Sequence, residues 1–339
     1  MITALAFLLC AAAPTRAQST TTLRGVDVYR SSAFNAADAE RRFDDDLNEY
    51  VRLRNRGARQ ADLERLRLKM QSEVAALPGV AQAELTFTES FSGGDRALYA
   101  MFDVVDKADA QRLAFNPPPE ASVPDPSGLL AAWKRYMDAG EALALAGQMP
   151  EDRPNCPGFY CLWSGTPEID GLEARFKAGA EGQNAELRRV LAEDRDGQKR
   201  AAALFVLSYS TSGKDVVALC DGALTDPDPR VRGAALQILA DIANHHPELT
   251  ISLLRVLPRL DDPSASVRNK TMGLLVPLTD RKAYREVMQS AAPRLVALLA
   301  LKQAESRDLA YTLLGLISNK DYAKDDLDRW RAWAEKAAK

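Results

Sequence analysis

Asp226-Pro227-Asp228-Pro229-Arg230-Val231-Arg232 decides the fold, because the same step recurs at Asp262-Pro263-Ser264-Ala265-Ser266-Val267-Arg268. A looser copy runs from Asp194 to Arg200, so three times an aspartate precedes an arginine by six residues. Each arginine opens an apolar helical pattern: Arg200 to Leu204, Arg232 to Leu236 and Arg268 to Met272. A fourth copy, Arg307 to Tyr311, has lost its aspartate. The arginines lie 32, 36 and 39 residues apart, which is the period of a repeated helix pair. Asp-Pro breaks the chain between the two helices of a repeat, Val faces the core, and Asp and Arg can pair in a ladder between adjacent repeats. A helix pair buries its apolar face only against its neighbours, so the ends of the stack need caps. The C-terminal stretch carries Leu327, Trp330 and Trp333 on one side and charges on the other, the pattern expected of a cap with its tryptophans in the core.

The aspartate-to-Val-Arg step resembles that of HEAT repeats. The resemblance implies a mainly α fold, an α-solenoid over residues 128–339, whose concave face, lined by the second helices, binds protein or peptide partners.

Upstream, residues 23–107 read as strand, helix, helix, strand, strand. Val26 and Val28 alternate with Asp27 and Tyr29, a half-buried strand. Asn35 is placed to cap a helix with Asp38 at its third position, and Phe43, Leu47, Tyr50 and Val51 share one face of it. The intervening Asp44, Asp45 and Asp46 point in different directions around the helix, as a solvated face does and a metal site does not. A second helix carries Leu63, Leu66, Met70, Val74 and Leu77 and stops at Pro78-Gly79. Ala83, Leu85 and Phe87, then Leu98, Ala100, Phe102 and Val104, alternate with polar residues on either side of a turn at Ser92 to Asp95. This order, with its Leu77-Pro-Gly-Val80 step into a hairpin closing on Phe102-Asp-Val-Val-Asp106, resembles the POTRA module of outer-membrane assembly and secretion proteins. The resemblance implies binding of partner chains, partly by strand addition at the sheet edge. Nothing after Lys107 alternates as a membrane barrel would. Residues 113–127 hold five prolines and read as a semi-rigid linker.

The N-terminus, with its apolar run Ile2 to Ala13 followed by Pro14 and Thr15-Arg16-Ala17, reads as a signal peptide over residues 1–17. The run is shorter than the ~20 residues that span a bilayer, and Cys10 lacks the small residues that precede a lipidated cysteine. A periplasmic or secreted protein is expected, with no stable membrane insertion after cleavage. In that oxidising setting Cys156 and Cys161, with four residues between them, favour a structural disulfide over free thiols or a redox or metal pair. Cys220 lies among apolar residues on a helical pattern and reads as a small buried hydrophobe. The whole layout further resembles a group of secreted bacterial HEAT-repeat proteins without an assigned activity. They share the small module, the Pro-rich linker, a Cys-Pro loop and an Arg268-Asn269-Lys270 step.

The 339 residues suffice for two or three domains, and the composition is globular, with 46% apolar and 27% charged residues. Asp and Glu (47) slightly exceed Lys and Arg (44), so no broad basic face for nucleic acid is expected. No catalytic, cofactor or metal site is nominated. His245 and His246 are adjacent in a turn before Pro247, where two neighbours rarely face one point; Ser164 lacks a nucleophile elbow; and the Asn269-Lys-Thr271 sequon lies in a repeat helix. The sequence therefore points to a non-catalytic extracytoplasmic scaffold. The alternative is a HEAT-type enzyme or cofactor-attachment factor of the lyase kind, which a deep polar pocket at His245 or His246 would favour.

Overall fold

The structure, a computed structural model, describes residues 20–92, 95–148 and 156–338. The expected signal peptide and the two glycines of the hairpin turn, Gly93 and Gly94, lie outside them.

The N-terminal module is β1 (Thr21–Tyr29), α1 (Ala36–Asn55), α2 (Gln60–Ala75), β2 (Val80–Ser92) and β3 (Asp95–Asp106). The strands form one sheet in the order β1-β3-β2, with β1 parallel and β2 antiparallel to the central β3. Asn35 caps α1 as its chemistry predicts, its Oδ1 accepting from the Asp38 N–H at 3.0 Å. Period-two alternation gives the sheet two faces. Val26, Ala83, Leu85, Ala100, Phe102 and Val104 pack under α1 and α2 against Phe43, Leu47, Met70 and Val74. Asp27, Tyr29, Met101 and Asp103 point the other way and are just as buried. Tyr29 and Met101 belong to the core of the helical domain, so the solenoid covers the sheet's second face. At Gly25 on β1 a methyl group would come within 2.8 Å of the Lys302 Cβ, and only glycine permits that approach.

The helical domain begins with α3 (Leu129–Leu145) and α4 (Pro167–Gly182), whose Trp133, Tyr136 and Phe176 form an aromatic core with Tyr160, Phe205 and Tyr209. Helix pairs follow: α5 (Asn184–Glu193) with α6 (Gly197–Leu207), α7 (Gly213–Ala223) with α8 (Pro229–His245), and the short α9 (Leu253–Val256), continued by a 3-10 turn to Asp261, with α10 (Ala265–Leu278). Helices α11 (Lys282–Met288) and α12 (Ala292–Leu299) precede α13 (Ala304–Ser318), and α14 (Leu327–Ala337) closes the stack against α12. Trp330 is fully buried there, edge-on to Tyr311, Tyr322 and Trp333, and its indole N–H donates to the Ala323 carbonyl. The second helices α6, α8, α10 and α13 pack in a row, and α8 is buried on most sides by α6, α7 and α10, with Arg230, Gln237 and Asn244 on its remaining polar stripe.

The proline-rich segment differs from the spacer expected at 113–127. It runs back along the edge of the stack and is hydrogen-bonded there. The Asn116 N–H donates to the Thr225 carbonyl, the Arg195 N–H to the Ala121 carbonyl, and the Val123 N–H to Asp194. Proline fixes an extended backbone whose free carbonyls and occasional N–H groups suit a strap as well as a spacer.

Candidate interaction surface

The turn between paired helices is built residue by residue from the repeated step. Asp226 Oδ1 accepts from the Asp228 N–H at 2.7 Å, and Asp228 caps α8 by accepting from the Arg230 N–H at 2.8 Å. Pro229 takes the first helical position, where a missing N–H costs nothing, and Val231 is fully buried. The Asp262 carboxylate accepts from the Ser264 N–H at 3.0 Å and the Asp194 carboxylate from the Asp196 N–H at 2.8 Å in the same way. Each arginine then links two turns. Arg200 donates from Nη1 to the Asp194 carbonyl and, through Nε and Nη2, to the Asp226 carboxylate at 2.9 and 2.6 Å. Arg232 repeats this with the Asp226 carbonyl and the Asp262 carboxylate, both carboxylate contacts at 2.7 Å. Arg268 donates to the Asp262 carbonyl at 2.8 Å, but no aspartate follows, because Leu301 occupies the equivalent place. Arg307, the fourth copy, lies half-exposed beside Asp308, and its charge reaches Asp27 of β1 only through space.

The missing carboxylate comes from the N-terminal module. Asp103 on β3 accepts from Arg268 Nη2 at 2.6 Å and from the Ala265 N–H at 3.0 Å, with both side chains of the ion pair fully buried. Asp27 on β1 takes over the other task of a ladder aspartate, accepting from the Lys302 and Gln303 N–H groups at the start of α13. Burial pushes the carboxyl groups of Asp27 and Asp103 above the ordinary carboxylate range against the pull of these donors. Glu84, facing Asp103 across the sheet, is raised by burial and by that neighbour's charge. Aromatic rings complete the contact. Tyr29 lies 4.0 Å from the Arg268 guanidinium and donates its hydroxyl to the Leu260 carbonyl, while Phe115 from the strap lies 3.9 Å from Arg232. At the other end Asp194 has no preceding arginine; Val123 N–H and Lys199 Nζ supply its donors. The turn edge of the solenoid is thus filled by the chain's own N-terminal third.

The solvent-facing side of the second helices is left open. Gln198, Arg230, Ser266, Glu305 and Thr312 stand exposed along it. The outer edge of β2, the other surface that the POTRA resemblance suggests, is partly closed. At Leu85 the N–H donates to Gln71 Oε1 and the carbonyl accepts from Arg67 Nη1, so α2 occupies the backbone groups an added strand would use.

Cys156 and Cys161 are joined, with Cα atoms 5.8 Å apart. Their loop is seated on the ends of α6 and α8: the Phe159 N–H donates to the Ser208 carbonyl, and the Phe159 ring lies 4.7 Å from His246. His245 is exposed, and His246 also stands 3.4 Å from Glu248, so the pair is divided between solvent and packing. Ser164 is buried, and burial pushes the thiol of Cys220 well up. Asn269 is buried within α10, its Oδ1 accepting from the Ser306 hydroxyl at 2.6 Å, which leaves no room for a glycan. Among the described residues no three His, Cys, Asp or Glu side chains are gathered as metal ligands, and no helix is long and apolar enough to cross a membrane.

A family profile described as HEAT repeats matches residues 184–274, the span from α5 into α10 that holds all three ladder steps. The chain is therefore a mainly helical, HEAT-type solenoid preceded by a small α/β module. Repeats of this class commonly mediate protein–protein interaction. Comparison with curated proteins and with solved structures finds no match.

Proposed function

We propose that the protein is a non-catalytic extracytoplasmic scaffold, periplasmic or secreted, that holds a protein or peptide partner against the solvent-facing side of its second helices. The observation that carries this reading is the asymmetry of the solenoid's surfaces. The turn edge is sealed by the strap and by the sheet of the module, while the side carrying Gln198, Ser266 and Thr312 has no internal occupant among the described residues. A sheet docked on the solenoid cannot also offer that face to a second protein, so any contact made by the POTRA-like module falls to α1, α2 or the part of the β2 edge beyond Leu85. Recognition is by shape and charge complementarity, without turnover.

Site-specific photocrosslinking in cells tests this. A photoreactive residue at Gln198 or Thr312 should trap the same envelope protein, and one at Arg65 on α2 should not. Recovery of no crosslinked protein, together with a small molecule that copurifies with the chain, would overturn the scaffold reading in favour of a cofactor-handling one.

A further inference from the structure

Lys270 is the member of the Arg268-Asn269-Lys270 step without a bonded partner among the described residues, since Arg268 belongs to the ladder and Asn269 is bonded to Ser306. Its side chain lies back from α10 across α8. A methyl group at Gly233 would come within 3.0 Å of its Nζ and 3.3 Å of its Cδ, so the glycine makes the place the lysine occupies. Lys69, Lys134, Lys199, Lys302 and Lys324 each end on a carboxylate. Among the described residues no hydrogen bond or ion pair reaches the Lys270 ammonium, and burial disfavours its charge. The groups around it are accounted for. Arg230, one turn earlier on α8, is held by Asp228; Gln237, one turn beyond Gly233, is half-buried and neutral; Glu305 on α13 acts on the ammonium only through space. At Gly273, further along α10, nothing lies within 4 Å of where a side chain would begin, so a partner backbone can approach closely.

We propose that Lys270 anchors a carboxylate side chain of an extended protein segment lying across α8 and α10. The inference rests on the scaffold reading and names its contact chemistry. A half-buried ammonium without a counter-ion gains from any anion that reaches it. One positive charge with Glu305 nearby suits a singly charged carboxylate better than a doubly charged phosphate.

The probe is a fluorescein-labelled peptide alternating glycine and glutamate, with its glycine–glutamine counterpart as control, titrated into the full mature chain. Wild type should bind the glutamate peptide about tenfold more tightly than the control, the size of one charge-assisted contact. That preference should fall as pH rises through the lowered pKa of Lys270. K270Q should abolish it, and G233A, which keeps the charge but displaces the ammonium, should weaken it. Neither change removes a hydrogen bond, and melting curves establish that both variants are folded. Equal binding of the two peptides by wild type, absent binding included, overturns the proposal, as does a glutamate preference that survives K270Q. The scaffold reading is judged apart: crosslinks from Gln198 and Thr312 persist if only the anchor is wrong, and are missing from wild type if the scaffold itself is.

Discussion

The central rungs of the ladder and its last rung meet one physical demand in different ways. Arg200 and Arg232 are each buried at the start of a second helix, and each receives a two-point carboxylate from the next turn, 26 and 30 residues along the chain. Arg268 is equally buried, yet its carboxylate comes from Asp103, 165 residues away on a β-strand, and contacts Nη2 alone. Its Nε is buried with no partner among the described residues, whereas the Nε groups of Arg200 and Arg232 are both bonded. The tyrosine ring over Arg268 offsets part of that deficit. A repeat array must therefore be terminated electrostatically as well as sterically. Here the terminating group is the α/β module, which makes the module an integral part of the solenoid's stability.

The largest expected effect breaks the last rung. Asp103→Ala leaves Arg268 buried and unpaired, a change worth about 3–5 kcal/mol, and should lower the midpoint of urea unfolding accordingly. Asp262→Ala should cost as much at a central rung. The two separate when Leu301→Asp is added, because residue 301 is where the repeat pattern would have placed the carboxylate for Arg268. The added aspartate should recover part of the loss in the Asp103→Ala background and none in the Asp262→Ala background. Equal behaviour of the two backgrounds in a double-mutant cycle would show that the last rung is not a substitute for a ladder rung.

This contrast also separates what could be read in the sequence from what could not. Asp226 to Arg232 and Asp262 to Arg268 carry their whole local structure in seven residues: cap, proline, buried valine, paired arginine. Their chemistry is local, so spacing alone conveys it. The alternation of β1 was equally legible, with Val26 and Val28 facing α1 and α2, but the expected half-burial was not met, because the polar face is buried as well. The fate of Asp27 and Tyr29 was not, because an alternating strand looks the same whether its polar face meets water or a buried arginine. Two signals could have been combined: a fourth repeat with Leu301 in place of aspartate, and acidic residues spaced along strands of a module otherwise apolar on one side. The proline segment misled for a related reason. Extended, proline-rich chain reads alike as spacer and as strap, and only the ladder groups that Ala121 and Val123 meet distinguish the two.

Smaller perturbations sharpen the comparison by acting on one end of the stack. Cys156→Ser with Cys161→Ser removes a short covalent loop seated on the ends of α6 and α8, and about 2 kcal/mol of stability on the loop-entropy account. Hydrogen exchange should quicken around Ser208 and Tyr209 while the amides of β3 near Asp103 stay protected; uniform loss of protection would mean that the two ends are not separable. Phe115→Ala uncovers the guanidinium of Arg232, whose two-point carboxylate remains. A loss of about 1–2 kcal/mol is expected, below that for Asp103→Ala, with faster exchange at Asn116 and Val123 as the strap loosens. If the strap amides do not respond, Phe115 is not what holds it.

The smallest effect concerns pH and belongs to the last rung alone. Glu84 sits beside Asp103 on the docked face of the sheet, raised by burial and by that carboxylate, with no hydrogen-bond donor of its own among the described residues. A carboxyl whose folded pKa lies above its unfolded value binds more protons when folded. Its penalty is therefore relieved as pH falls through the folded pKa and is gone below the unfolded one. At neutral pH Glu84 opposes docking, and Glu84→Gln should stabilise the protein by on the order of 0.5 kcal/mol, with the gain shrinking towards pH 4.5, the ordinary value for glutamate. The ladder carboxylates of the central rungs, Asp226 and Asp262, are each paired at two points with an arginine, so no comparable gain is expected from neutralising a carboxyl there. A gain for Glu84→Gln that does not change with pH would point to packing, and would remove the charge argument from the docked face.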